Sequence, residues 1–226
     1  MRGNERRLLS WRVYVIIDVT SVGDRDPMAV ARAAVRGGAD VIQLRGKQLT
    51  TLQLWRYARR MQLLCHRGGA IFIMNDRPDV AVAVDADGVH LGQDDLPVSA
   101  VRSFDRRRAL LVGVSTHSVV QAERAQRLGV DYIGVGPIFT TPTKPDYSPV
   151  GLRLIRQVRA RVSIPQVAIG GIDEGNVGEV ISSGASCVAV VRAVCAAGDP
   201  LQATRRLRHV VMTELAAASA MGATSS

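Results

Sequence analysis

The fold class this sequence predicts is a single α/β domain, a (β/α)8 barrel with eight parallel strands. Short β-rich runs alternate with longer amphipathic runs along the whole chain. The strand-like runs are continuously apolar, as strands buried on both faces must be, and the runs between them are long enough to cross over as helices. Eight such units occur with no doubled strand and no long linker, which implies closure of the sheet. With 226 residues, 47 % of them hydrophobic, the chain can bury a full core of this size.

The strands are expected at "VYVIID" (13–18), "DVIQLR" (40–45), "AIFIMN" (70–75), "GVHL" (88–91), "LLVGVS" (110–115), "DYIGVG" (131–136), "QVAIG" (166–170) and "CVAVV" (187–191). Helices fall between them, for example "PMAVARAAVRGG", "TLQLWRYARRMQLLCHRGG" and "HSVVQAERAQRLG", each ending in a glycine suited to a left-handed C-cap. The segments "GGADVIQLR", "DADGVHL", "LGVDYIGVG" and "SGASCVAVV" repeat one pattern of helix end, small-residue turn and strand. Around this barrel, taken as 13–215, residues 1–12 read as a frayed basic extension and 216–226 as a tail.

Composition narrows the function classes. No apolar run reaches the roughly 18 residues a membrane helix needs, and the basic start lacks the apolar core of a signal peptide. Three cysteines without CxxC spacing indicate neither a disulfide framework nor a zinc site, so a cytoplasmic setting is expected. The net charge of +9 suits an anionic partner. Its arginines fall mostly on helix surfaces, and aromatic residues, 4 % of the chain, do not interleave with them, against nucleic-acid binding. The sequence leaves a homo-oligomer open.

In such barrels the reacting groups gather at the carboxyl ends of the strands. Strand two ends in "QLRGK", where alternation puts Gln43 and Arg45 on one face and Lys47 continues the line. Strand three ends at Asn75 and Asp76, and strand four runs into "GQDD", bringing Gln93, Asp94 and Asp95. Carboxylates from neighbouring strand ends, among cations, suit Mg²⁺ held by one or two carboxylates and by substrate phosphate oxygens. The competing role for each aspartate is to cap the helix that follows. Strand five offers Ser115 as a donor and His117 as a polar helix start; no acid completes a nucleophilic triad.

Strand six opens into "TTPTK" (140–144), which concentrates hydroxyls and an ammonium suited to phosphate oxygens. Of 29 basic residues only Lys47 and Lys144 are lysine, and both fall at strand ends. Gly170 and Gly171 after strand seven, with the amides of Val191 and Arg192 after strand eight, form a second phosphate-type site.

"QLRGK", "NDRPDVAVAVDADGVHLGQDDLP", "GVSTHS", "GVDYIGVGPIFTTPTKPD" and "VAIGGI" resemble, in order and spacing, the thiamine-phosphate synthase family over roughly 13–215. The resemblance implies a transferase of an alkyl or aryl group acting on two phosphorylated small molecules. A pyrimidine-methyl pyrophosphate and a thiazole phosphate would join to give thiamine phosphate and pyrophosphate. By the resemblance Asp76 and Asp95 hold one Mg²⁺. Gln43, Arg45, Lys47, Asn75, Ser115 and Lys144 take the pyrimidine substrate, with Arg45, Lys47, Ser115 and Lys144 also serving catalysis. Thr141, Thr143, Gly171, Val191 and Arg192 take the thiazole phosphate. Two positions depart from the family pattern: Gly46 where an acid is common, and Arg192 where a serine is common.

Three alternatives bound this reading. A paralogue that tautomerises the thiazole phosphate needs a general base but not the metal carboxylates. A sugar-phosphate aldolase would need Lys144 desolvated for a Schiff base. A nucleic-acid-binding regulator would show steep salt dependence.

Overall fold

The computed structural model describes residue 8 and residues 10–105, 110–142 and 148–223. Eight strands close in sequence order, each parallel to its neighbours, with β8 pairing back to β1. They are β1 (Val13–Asp18), β2 (Val41–Arg45), β3 (Ile71–Asn75), β4 (Gly88–Leu91), β5 (Leu111–Thr116), β6 (Tyr132–Val135), β7 (Gln166–Ile169) and β8 (Val188–Val190). Every predicted strand is present, with ends moved by a residue at most. The helices, in chain order among the described residues, are α1 (Pro27–Arg36), α2 (Thr51–Gly68), α3 (Pro78–Ala83), α4 (Val98–Phe104), α5 (Val119–Arg127), α6 (Leu152–Arg159), α7 (Val177–Ser182), α8 (Arg192–Cys195) and α9 (Pro200–Ala223).

Local chemistry sets the helix ends. Thr50 and Gln53 form a reciprocal capping box at the start of α2, and Gly69 closes it at φ 74°. Between them Leu54, Ala58, Met61 and Cys65 recur at helical spacing and are buried. Asp26 accepts from the Met28 amide to start α1, and Ser118 accepts from the Gln121 amide to start α5. The cap of α5 is thus Ser118, one residue beyond His117.

Two apolar cores result. The larger lies between sheet and helices; the smaller fills the barrel with Tyr14, Ile16, Val41, Ile71, Ile73, Leu111, Tyr132, Val167, Cys187 and Ala189. Leu8 and Trp11, 5 % and 3 % exposed, belong to this inner core. The Trp11 ring meets Tyr132 edge-on at 5.3 Å and Tyr14 at 6.1 Å. The last part of the expected frayed extension is therefore packed as the barrel floor. At the other end, α9 continues to Ala223, past the expected boundary at 215.

The fourfold sequence echo has a structural counterpart. Asp40, Asp87 and Asp131 stand immediately before β2, β4 and β6, and each binds both main-chain polar groups of one residue on the preceding odd strand. Asp40 pairs with Val13, Asp87 with Phe72 and Asp131 with Val112: the carboxylate accepts the amide and the aspartate amide donates to the carbonyl. The amides so bound are 2.7–3.0 Å away. Ser186 holds the fourth place, before β8. These staples fix each pair of strands in register at the barrel's amino end, and so fix which residues reach the opposite end.

Candidate active site

Strand alternation carries the inner row of each strand upward from the apolar floor to polar tips. Ile71 and Ile73 lead to Asn75, and Val41 leads to Gln43 and Arg45. The tips surround a cavity of about 740 Å³. Its lining includes the expected Gln43, Arg45, Lys47, Asn75, Asp76, Asp95, Ser115, Thr141, Gly171, Val191 and Arg192. Thr143 and Lys144 lie outside the described residues.

Asp76 is held in a strained turn. Its φ is 60°, the Arg77 amide donates to the Asn75 carbonyl at 2.8 Å, and its own amide donates to the His90 carbonyl on β4 at 2.9 Å. A two-residue bond about a positive φ is the rare γ-turn geometry. Neither α3 nor α4 has a side-chain cap, so the capping role does not hold Asp76 or Asp95. Asp76 lies instead within hydrogen-bond reach of Asp95 and 3.1 Å from the Lys47 ammonium. Burial first, then the neighbouring Asp95 carboxylate, raise its pKa above the usual carboxylate range, while Lys47 pulls it back in part. Asp95 is anchored by the Gly92 amide at 2.6 Å.

These two carboxylates fit a divalent cation. A half-buried acid pushed toward protonation by its neighbour, with a strained backbone aiming it, calls for positive charge between the pair. No group of three or more His, Cys, Asp or Glu side chains that could hold a metal occurs among the described residues. Two carboxylates are the complement Mg²⁺ takes when substrate oxygens and water complete its shell.

The cationic side has a partner that sequence reasoning missed. Asp18, 1 % exposed at the tip of β1, accepts from the Arg45 guanidinium, and from the Thr20 amide and hydroxyl at 3.0 and 2.7 Å. It ties the Arg45 guanidinium to the neighbouring strand tip at the barrel mouth. An acid ending the apolar run "VYVIID" was the available signal.

Gln43 is 2 % exposed and donates to the buried Tyr14 hydroxyl at 2.6 Å. Ser115 Oγ is 2.9 Å from His90 Nε2. Gln93, from the loop after β4, donates to the Ser115 carbonyl. His117 lines the same cavity, and its Nδ1 bonds the Gly136 carbonyl.

At the far wall, Gly170 and Gly171 have φ of 105° and 63°. A Cβ at Gly171 would lie 2.6 Å from the Thr140 carbonyl oxygen. Glycine is required there because the loop after β6 packs directly onto the loop after β7, which also brings Thr141 to the wall formed with Val191 and Arg192. Arg192 opens the short helix α8 and is exposed.

The arrangement can hold two anions, one at a carboxylate-and-cation wall and one at a wall of glycines, hydroxyls and main-chain amides. Comparison with known proteins agrees with it. The family model described as thiamine monophosphate synthase matches residues 13–194. The chain is 48 % identical to the thiamine-phosphate synthase of Chloroflexus aurantiacus, over 90 % of this chain and 94 % of that one. It is 43 % identical to the thiamine-phosphate synthase of Methanospirillum hungatei, over 88 % and 97 %. The solved thiamine phosphate pyrophosphorylase of Pyrococcus furiosus superposes with a TM-score of 0.85 at 36 % identity, covering 93 % of this chain and 99 % of that one. This chain therefore belongs to the thiamine monophosphate synthase family.

Proposed function

We propose that the protein is a thiamine-phosphate synthase. It joins 4-amino-2-methyl-5-(diphosphooxymethyl)pyrimidine to 4-methyl-5-(2-phosphooxyethyl)thiazole, giving thiamine phosphate and pyrophosphate. The observation that carries the reading is the pairing of Asp76 with Asp95, with Lys47 on Asp76, at one mouth of the cavity that Gln43, Arg45, Asn75 and Ser115 also line.

The bond that breaks joins the pyrimidine methylene carbon to the pyrophosphate oxygen, and its electron pair leaves with pyrophosphate. The thiazole nitrogen then supplies the pair for the new carbon–nitrogen bond. No proton need move, so the site requires no general base. Arg45 and Lys47, joined by Lys144, meet charge as it develops on the departing oxygens. Gln43, Asn75 and Ser115 orient the pyrimidine. Thr141, Thr143, Gly171 and the main chain of Val191 and Arg192 hold the thiazole phosphate far enough away to leave the ring nitrogen facing the methylene carbon. Asp76 and Asp95 would hold Mg²⁺, which when bound neutralises charge on the diphosphate.

No helix among the described residues is long and apolar enough to cross a membrane, which agrees with a cytoplasmic biosynthetic role. Its partners on this reading are the two phosphorylated substrates, not nucleic acid. Purified protein supplied with both substrates and Mg²⁺ is expected to yield thiamine phosphate, read as its fluorescent oxidised form, and chelation is expected to stop it. Absence of product refutes the function; undiminished product after complete metal removal refutes the carboxylate assignment.

A further inference from the structure

Along the cavity floor runs a line of polar groups whose middle members, Tyr14, Tyr132 and His90, the reaction as described does not use. Gln43 Nε2 donates to Tyr14 Oη at 2.6 Å, and Tyr14 Oη lies 3.0 Å from Tyr132 Oη. Tyr132 Oη lies 3.1 Å from His90 Nδ1, and His90 Nε2 lies 2.9 Å from Ser115 Oγ. The line thus crosses the barrel from β2 through β1, β6 and β4 to β5. It joins the two polar groups, Gln43 and Ser115, that the functional reading assigns to the pyrimidine.

We propose that Tyr14, Tyr132 and His90 are positioning residues: a one-way hydrogen-bond chain that fixes the Ser115 hydroxyl as a donor into the cavity and ties its orientation to Gln43. The inference rests on the proposed function for what the hydroxyl meets, but not for the direction of the chain.

Direction follows from counting protons. The Tyr14 oxygen receives the Gln43 amide proton, so Tyr14 passes its own proton to Tyr132. Tyr132 in turn donates to His90, whose Nδ1 must then be the bare, accepting nitrogen. A neutral imidazole with a bare Nδ1 carries its proton on Nε2 and donates it to Ser115 Oγ. Ser115 is left with one hydroxyl proton and no use for it within the chain. With Gln43 Nε2 facing Tyr14, a reversal strands the Tyr14 proton, whereas an amide turned to present Oε1 would reverse the whole line. Tyr14 and Tyr132 are 2 % and 0 % exposed, so bulk water does not offer an alternative acceptor.

The barrel is shaped around these rings. Gly113 on β5 is in register with Tyr132, and a Cβ there would lie 2.1 Å from Tyr132 Cζ. A Cβ at Gly134 would lie 3.4 Å from His90 Cε1. Strand β5 gives up its side chain where the phenol passes, while at Gly134 a Cβ would make only an ordinary contact with the imidazole. Burial raises the pKa of both phenols, so they remain neutral donors at working pH. His90, with its Nδ1 lone pair engaged, is withdrawn from service as a base. Ser115 then recognises an acceptor atom on its ligand and rejects a donor.

The test reads the chain directly in the ligand-free protein and its use in turnover. Nitrogen-15 NMR of the imidazoles is expected to find His90 as the Nε2–H tautomer at neutral pH. Tyr132→Phe keeps the ring and removes the link; it is expected to fold, to let the tautomers of His90 mix, and to lower kcat/KM for the pyrimidine pyrophosphate about tenfold, one hydrogen bond's worth. The KM for the thiazole phosphate should be unchanged. Tyr14→Phe, at the other end, serves if Tyr132→Phe does not fold, and the same result is expected of it. An Nδ1–H tautomer in the wild type, or a His90 tautomer and kinetics untouched by both variants, overturns the proposal. Wild-type protein that makes no thiamine phosphate refutes the functional reading instead, and the NMR measurement alone then decides this one.

Discussion

Asp76→Asn tests the metal reading through stability, without recourse to turnover. In the metal-free protein Asp76 is pulled two ways. Burial and the Asp95 carboxylate make its charge unfavourable, while Lys47 at 3.1 Å favours it. The Lys47 side chain is 54 % exposed, so this ion pair contributes at most about 1 kcal/mol. Burial and repulsion together outweigh that attraction, and the metal-free variant is expected to unfold at the wild-type temperature or above it. Because the folded state holds the Asp76 proton more tightly than the unfolded chain does, that proton stabilises the metal-free protein at low pH. The stabilisation is lost as pH rises from the ordinary carboxylate range through the raised value. Cation binding replaces it above that range. Mg²⁺ with pyrophosphate at about 100 times its Kd adds about 2.7 kcal/mol. A chain of this size shifts by about 2–4 °C per kcal/mol, so the wild-type Tm is expected to rise by about 5–10 °C at pH 7.5. Thermal unfolding followed by dye binding reads the shift, which should shrink as pH falls through the raised Asp76 value and vanish in Asp76→Asn. An equal shift in the variant, or a metal-free variant melting well below wild type, would refute the reasoning.

Two further substitutions probe other parts of the molecule. Asp131→Ala leaves the Val112 amide without its carboxylate, and is expected to cost about 2 kcal/mol, a loss visible in denaturant midpoint with KM values unchanged. Lys144→Arg keeps charge but replaces a compact ammonium by a planar fork; steady-state kinetics should show a large loss of kcat, and unchanged kinetics would mean that the scarcity of lysine in this chain says nothing about that position.

The strands were legible because apolar runs bounded by small residues leave little freedom of placement. Their tips followed, since a parallel barrel delivers every strand end to one face: Gln43, Arg45, Asn75 and Ser115 were found by position alone. What alternation could not reveal is which of two buried faces looks inward. Tyr14, His90 and Tyr132 therefore passed as ordinary strand residues, though they line the cavity. Asp18 was missed for a related reason: its partner Arg45 is brought to it by the pairing of β1 with β2, not by nearness in sequence. The capping role weighed for Asp76 failed on backbone geometry, because a residue at φ 60° cannot take the extended conformation of an N-cap. The burial of Leu8 and Trp11 depends on a floor that exists only once the barrel is closed.

Trp11 is one of two tryptophans, and the other, Trp55, stands on α2 with 41 % of its surface exposed. The Trp11 indole N–H is buried with no acceptor among the described residues, a setting in which emission lies far to the blue, while Trp55 emits as a hydrated indole. A collisional quencher should silence Trp55 and spare Trp11, dividing the intrinsic fluorescence into a helix-surface channel and a barrel-interior channel. Light absorbed by Tyr14 and Tyr132 will pass to the interior channel, so the molecule carries, without labelling, an optical gauge of whether its closed end is shut.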